Sequence, residues 1–327
     1  MDNNSMVGFF TIQYSFVGFD EILFPVYSDD IYWCQEVPYA IFIAIYCTFF
    51  MILQIMVTRA ILMDKEMRRL PAYQIMIWIS VFDFLQLIAH IIPVYYILDS
   101  KPHFGVIDFL VGAIMNASWV TMLLLSIFLN INRFLSIVFH FSTNRFFSKN
   151  LMKVYLSIFV LIWFSIAVIN STSLSHFVYL LPTYTYHYVA DYEYSHVIRA
   201  ISADISLIDV IVSMLSHAFI FTFIYFKASI LSKREFFLSL QVLCTSIFHV
   251  LGYITWEYIP IPWDLSIGLF LGHFIWMVWN SVNPALYILI NPRIRHLVFN
   301  SVGIKNYPGS VVIVNTQLSA VKSSTRS

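Results

Sequence analysis

The sequence predicts an all-α membrane protein, a bundle of seven transmembrane helices with the N-terminus outside and the C-terminus inside. Three observations carry this expectation. Hydrophobic residues make up 60% of the 327 and charged residues 11%, against about 45–50% and about 25% in soluble domains. Seven apolar runs, 38–62, 71–98, 104–132, 152–175, 201–226, 236–259 and 265–290, each approach the roughly 20 residues that cross a bilayer as a helix. Lys and Arg alternate in density between successive connections. All but two of the 18, Lys101 and Arg199, fall on one side, the side that positive charge keeps in the cytoplasm.

In chain order, residues 1–37 read as an outer tail that holds Asp2, Asp20, Glu21, Asp29, Asp30 and Glu36 and no Lys or Arg. With no positive n-region ahead of it, the first run is expected to act as its own insertion signal. Asn3-Asn4-Ser5 is a glycosylation sequon in this tail, whereas the matches at Asn116 and Asn170 lie inside apolar runs and read as chance. The bundle is assigned to 38–290. None of its runs shows the short alternating segments of a transmembrane barrel. The net charge is zero, and the three cysteines, Cys34, Cys47 and Cys244, support no disulfide framework.

The second run carries Asp83 in SVFDFLQL, an acid at mid-membrane depth. The third ends in LNINRFLSI, with Asn132, Arg133 and Phe134 where the apolar stretch meets a basic loop; an arginine there can simply snorkel to the interface. The connection after the fourth run, LPTYTYHYVADYEYSHV, alternates tyrosines at 184, 186 and 188. That alternation suggests a strand or hairpin lidding the bundle, although tyrosines also gather at membrane interfaces. In the fifth run, Asp204 and Asp209 occupy the outer half, and intramembrane acids are ligand candidates by default. Glu235 stands at the inner start of the sixth run. His90, His217, His249 and His273 read as isolated core residues, so neither a metal site nor an intramembrane enzyme is expected.

The seventh run closes on NPALYILINPRIR, with Asn-Pro twice. Pro284 removes one backbone donor, so it is expected to hinge the helix, with Asn283 re-satisfying the backbone. Asn291-Pro292 instead suits an N-cap and first turn. It predicts an amphipathic eighth helix over 291–300 on the inner membrane surface, with Ile294, Leu297 and Val298 facing lipid and Arg293, Arg295 and His296 near headgroups. The serine-rich remainder, 301–327, reads as a disordered cytoplasmic tail.

Asn132-Arg133-Phe134, the intact Asn283-Pro284-Ala285-Leu286-Tyr287 and Asp83 together resemble the rhodopsin-like G-protein-coupled receptors over residues 38–299. PAYQIMIWISVFDFLQL, LNINRFLSI and Trp119 are more similar still to the nematode serpentine-receptor chemoreceptors, class T or class X. The resemblance implies a chemosensory receptor at the plasma membrane, in a sensory cilium by family likeness. Its partners would be a heterotrimeric G protein, membrane lipid and a small-molecule or peptide ligand, with no cofactor and no nucleic acid. By the same likeness Asp83, Asn283, Pro284 and Tyr287 form an activation network. Arg133 faces Glu235 or the G protein, and Trp119 and Tyr253 face the ligand cavity that the intramembrane acids Asp204 and Asp209 are candidates to line. Because Asn132 stands where the family has an acid, Arg133 is expected to lose one restraint and basal activity to rise.

Departures from the family are equally definite. Asp108 occupies the place of the outer cysteine of the third helix, the second outer loop has no cysteine, the fifth helix has no proline, and Tyr253 lies near the sixth-helix switch without the proline that normally follows. Helix seven has no lysine for retinal, and Met115 replaces the amine-binding aspartate, so neither an opsin nor a conventional amine receptor is expected. A ligand-gated channel or transporter subunit, or a receptor-like trafficking subunit, is the alternative reading.

Overall fold

The computed structural model of the chain describes residues 11–12, 22–23, 33–99, 105–139, 145–180, 185–189, 192–227, 233–258 and 266–303. The Asn3 sequon and the tail from 304 lie outside them. Among the described residues the α-helices follow in the order α1 (Trp33–Met63), α2 (Pro71–Ile91), α3 (Pro93–Asp99), α4 (Val106–Val138), α5 (Lys149–Ser171), α6 (Ser195–Lys227), α7 (Lys233–Tyr258), α8 (Ser266–Ile290) and α9 (Pro292–Ser301). Strands β1 (Thr11–Ile12) and β2 (Ile22–Leu23) pair antiparallel, as do β3 (Phe177–Leu180) and β4 (Thr185–Tyr188).

Among the described residues six helical stretches are long and apolar enough to cross a membrane, the second being Pro71–Asp99. The 25-residue α8 supplies the seventh span. Pro93 explains why the second span divides into α2 and α3, since proline suits a first turn but not a helix interior. Two limits drawn from hydropathy shift. The first helix begins at Trp33 rather than 38, and the third runs on to Val138 rather than 132, so Arg133 sits within a helix and not at its end. Apolar runs end where charge begins, but a helix continues for as long as its hydrogen bonds are cheaper than solvation.

Lipid is as apolar as a leucine side chain, so hydrophobicity alone does not hold spans together; packing and interhelical hydrogen bonds do. The third span (α4) passes through the centre and packs against the second, fourth, fifth and sixth spans. The fourth span (α5) buries only Met152 and Asn170, and Trp163 Nε1 donates to Ser118 Oγ of the third span at 3.0 Å. Both Asn116 and Asn170, the two internal sequon matches, are buried. A core toward the basic loops, termed the inner core, gathers Tyr73, Met76, Met122 and Tyr287, one toward the β3–β4 hairpin, termed the outer core, Met115, Phe177, Tyr186 and Trp276, and Trp119 packs against both.

The β3–β4 hairpin lies over the outer core without a disulfide, and Cys47 and Cys244 are free thiols. Its tether to the third span is a notch. A Cβ on Gly112 would fall 1.5 Å from the Phe177 carbonyl oxygen, so only glycine admits the hairpin backbone here. His176 stacks on Phe109 with ring centroids 4.0 Å apart and 13° between planes. Tyr188 Oη donates to Asn116 Oδ1 at 2.7 Å, and Tyr186 Oη to the Ala89 carbonyl at 2.6 Å. Burial brings the His187 imidazole down to about 3, with Arg199 acting in the same direction, so it is neutral at physiological pH.

α9 corrects one expectation. Asn291 caps it, its Oδ1 accepting from the Arg293 and Ile294 amides, and Gly303 at φ 85° ends it. Ile294 and Val298 do not face lipid: they are 0% and 2% exposed, in the inner core. Arg293 does not reach for headgroups but grips the connection between α1 and α2, with Nη2 2.7 Å from Asp64 Oδ2 and Nη1 2.7 Å from Glu66 Oε2. With that fork on one side, the apolar stripe of the helix meets the bundle on the other.

Two outcomes follow. Gly112→Ala forces hairpin and helix apart and is expected to destabilise the protein by about 1–3 kcal/mol, the usual range for overpacking; the melting temperature of protein in detergent measures it. Burial alone would raise the Asp64 carboxyl, but the Met67 and Glu66 amides and the Arg293 guanidinium hold it below its ordinary value. The stability that this carboxylate adds to the docking of α9 is therefore fully present above the unfolded carboxylate range and lost as pH falls through the depressed value. Amide protection of α9 should stay constant from neutrality to about pH 5 and begin to fall below about pH 4, and Arg293→Ala should remove that dependence.

Candidate functional site

Arg133 lies in the last turns of α4, its side chain 5% exposed. Its Nη1 donates to Glu235 Oε2 at 2.7 Å, joining the third span to the first turn of the sixth. Asn132 does not simply remove a restraint. Its Oδ1 accepts from Arg133 Nε at 3.2 Å and from Nη2 at 2.8 Å, and Ser136 Oγ accepts from Nη2 at 3.3 Å. The restraint lost relative to an acid is its charge, not its contact. Phe134 turns toward the fifth span, edge-on to Phe219 at 5.9 Å.

Deeper in the bundle, Asn283 Nδ2 donates to Asp83 Oδ2 at 2.7 Å, and Thr245 Oγ1 donates to Asn283 Oδ1 at 3.1 Å, linking the second, seventh and sixth spans. Asp83 and Asn283 are both 0% exposed. Pro284 lies inside the continuous helix α8, and Tyr287, one turn inward of Asn283, is buried in the inner core. Asn291 also joins this layer. Beyond its capping role it donates from Nδ2 to Tyr73 Oη at 3.1 Å and to Gln241 Oε1 at 3.4 Å.

Of the four residues expected near a ligand, Asp209 and Trp119 meet around the His249–Trp279 contact. Asp204 is exposed on the surface of the fifth span. Asp209 is buried and committed, its Oδ2 accepting from His249 Nδ1 of the sixth span at 2.9 Å. Trp119 stands edge-on to Trp279 at 4.5 Å and to Trp276 at 5.7 Å. Tyr253 is partly buried against the inner core, its ring 6.1 Å from Tyr258.

Nor are the histidines isolated. His90 Nδ1 and His273 Nε2 are 2.8 Å apart, Tyr39 Oη is 2.5 Å from His273 Nδ1, and Asn280 Nδ2 donates to His90 Nε2 at 3.1 Å. This chain joins the first, second and seventh spans beneath the hairpin. The intramembrane rule that singled out the aspartates applies equally to these histidines; their pairing, across 183 positions of sequence in the case of His90 and His273, is a tertiary fact. Among the described residues no group of three or more His, Cys, Asp or Glu could hold a metal ion.

The geometry is that of a membrane bundle whose central helix carries a caged arginine at one end and lies under an aromatic hairpin at the other. A comparison with curated proteins finds no match. The family model for the serpentine type 7TM GPCR chemoreceptor Srt matches residues 28–310, which takes in all seven spans, α9 and the hairpin. The chain therefore belongs to the Srt family of serpentine seven-transmembrane chemoreceptors.

Proposed function

We propose that the protein binds a small molecule or peptide from the outer side and activates a heterotrimeric G protein through Arg133. The bond from Arg133 to Glu235 carries the reading: a buried cation joins the central helix to the sixth span at the end bordered by basic loops. In this arrangement the pair closes the inner face at rest, and its opening frees Arg133 for the G protein. Only 5% of the arginine side chain is exposed, against 28% of the glutamate, so movement of the sixth span uncovers the residue that couples.

The N-terminus lies outside, by the distribution of Lys and Arg. Residues 1–37 form the outer tail, glycosylated at Asn3, 38–290 the bundle, 291–300 an inner-surface helix seated on the bundle and 301–327 the cytoplasmic tail. Asp83, Asn283, Pro284 and Tyr287 act as the hinge layer of the seventh span. The ligand presses on the aromatic floor where Trp119 meets Trp276 beneath the hairpin. The receptor works at the plasma membrane, in a sensory cilium by family likeness.

The deciding assay expresses the chain with a promiscuous G protein, applies a ligand panel and reads second messenger. Wild type should respond and Arg133→Ala should not, at equal surface amounts. A response that survives the mutation, especially as a current, would sink the coupling role and favour a channel. Glu235→Gln should raise basal signalling: a partly exposed ion pair is worth about 0.5–1 kcal/mol, which corresponds to roughly a two- to fivefold gain in the active population.

A further inference from the structure

A buried N–H group without an acceptor is costly, and most amides of this bundle avoid the cost locally by turning back on the carbonyl one turn earlier. Gln86 donates to Phe82 at 3.4 Å, Asn130 to Ser126 at 3.1 Å and Asn170 to Ile166 at 3.0 Å. The indole of Trp163 finds Ser118 Oγ. Four buried side-chain nitrogens that can only donate meet no acceptor among the described residues: Asn116 Nδ2, Asn132 Nδ2, Trp276 Nε1 and Trp279 Nε1. Asn132 belongs to the arginine cage at the inner face. The other three border one side chain, Trp119. Asn116 lies three residues before it, one turn outward on the same face of α4. Trp276 and Trp279, one turn apart on α8 and 9% and 7% exposed, both stand edge-on to it, at 5.7 Å and 4.5 Å.

The neighbours hold these donors in place. A Cβ on Gly252 of the sixth span (α7) would fall 2.5 Å from Trp279 Cε3 and 2.6 Å from Cζ3, so that edge of the indole lies against the α7 backbone. Nε1 is on the opposite edge of the ring and turns away from the sixth span. Asn116 Oδ1 accepts from Tyr188 Oη of the hairpin at 2.7 Å, which leaves Nδ2 as the uncommitted end of the amide. Tyr188 in turn lies 4.6 Å from Phe177, and Phe177 6.0 Å from Trp276. The acids nearby are already matched: Asp209 to His249, Asp83 to Asn283, and Asp108 to the Gly105 amide. His90, its ring 5.9 Å from that of Trp276, accepts at Nε2 from Asn280, so this nitrogen bears no proton and the ring is neutral.

We propose that the ligand is a small neutral carbonyl compound with an apolar body, bound around Trp119 with its carbonyl oxygen accepting from the Trp276 indole. Trp279 Nε1 and Asn116 Nδ2 are further donors for a second oxygen, as in an ester or lactone. A primary amine would bring more donors to a group of donors and find no uncommitted acid. An alkane would leave the N–H groups unmet, and a site with buried donors discriminates strongly against an analogue that lacks the acceptor. The inference rests on the ligand-binding reading proposed above and names the chemistry of that ligand.

The test uses the full chain in lipid nanodiscs with isotope-labelled tryptophan, and reads indole N–H resonances and melting temperature. The resonances lost in Trp276→Phe, Trp279→Phe and Trp163→Phe identify the three indoles; a phenyl ring keeps the aromatic packing and removes the donor. Without ligand, the Trp276 and Trp279 indole protons should lie upfield of that of Trp163, which is hydrogen-bonded. The probes are methyl ketones, ethyl esters and lactones, each beside the alkane, primary amine and carboxylate of the same carbon chain. Carbonyl compounds should move the Trp276 resonance downfield and raise the melting temperature, and the matched controls should do neither. Trp276→Phe should bind the responding compound about five- to tenfold more weakly, the loss of one hydrogen bond. Indole protons of Trp276 and Trp279 already as far downfield as that of Trp163 would overturn the proposal. So would a panel in which no carbonyl compound acts, one in which the amine or carboxylate binds instead, or an affinity unchanged in Trp276→Phe. Thermal stabilisation of the wild type by the matched sets decides the ligand class even if a variant does not fold. A carbonyl compound that binds without raising second messenger would strike the coupling role and leave the ligand class standing; second messenger raised by an amine or carboxylate alone would do the reverse.

Discussion

A polar atom buried within a lipid-embedded bundle has no water to turn to, and this constraint organises the receptor. Where such an atom is met by a partner on another span, the two helices are held against each other. Asp83 finds Asn283, Arg133 finds Glu235 and Asp209 finds His249. These three pairs tie the second span to the seventh, the third to the sixth and the fifth to the sixth. Apolar packing fills the space between them, but in lipid it is the pairs that choose which face of each helix turns inward. The fourth span, which buries only two residues, meets the bundle through the Trp163–Ser118 bond and its packing on the third.

The third span is the element on which this scheme turns. Its Gly112 seats the hairpin, Asn116 anchors Tyr188, Trp119 joins the inner and outer cores, Asn130 meets the fifth span, and Arg133 meets the sixth. An event at the hairpin therefore has a continuous packed route to the inner face along a single 33-residue helix. The missing tethering disulfide is replaced by shape and stacking: a glycine notch, a His176–Phe109 stack and two tyrosine hydroxyl bonds.

α9 shows how an amphipathic pattern can be read wrongly for orientation. Arg293 meets Asp64 and Glu66 on one side, and Ile294 and Val298 meet the bundle on the other. The amphipathic pattern itself is compatible with either lipid or protein on the apolar side. The bundle itself settles it, by burying Ile294 and Val298, and Arg293 meets Asp64 across 229 positions of sequence.

The sequence by itself determined the number of spans, the family likeness carried by Asn132-Arg133-Phe134 and Asn283-Pro284-Ala285-Leu286-Tyr287, the capping of α9 by Asn291 and the intramembrane acids worth asking about. Those features are local: hydropathy over a run, a proline after an asparagine, a charge in an apolar stretch. Only the tertiary structure decided that Asp209 is matched to His249 and Asp204 is left on the surface, that His90 and His273 touch, that Asn132 still holds Arg133, and that Gly112 and Gly252 are seats for a backbone and an indole. Each of these depends on the rotation of one helix against another, and helical periodicity fixes which residues share a face without fixing what that face will meet.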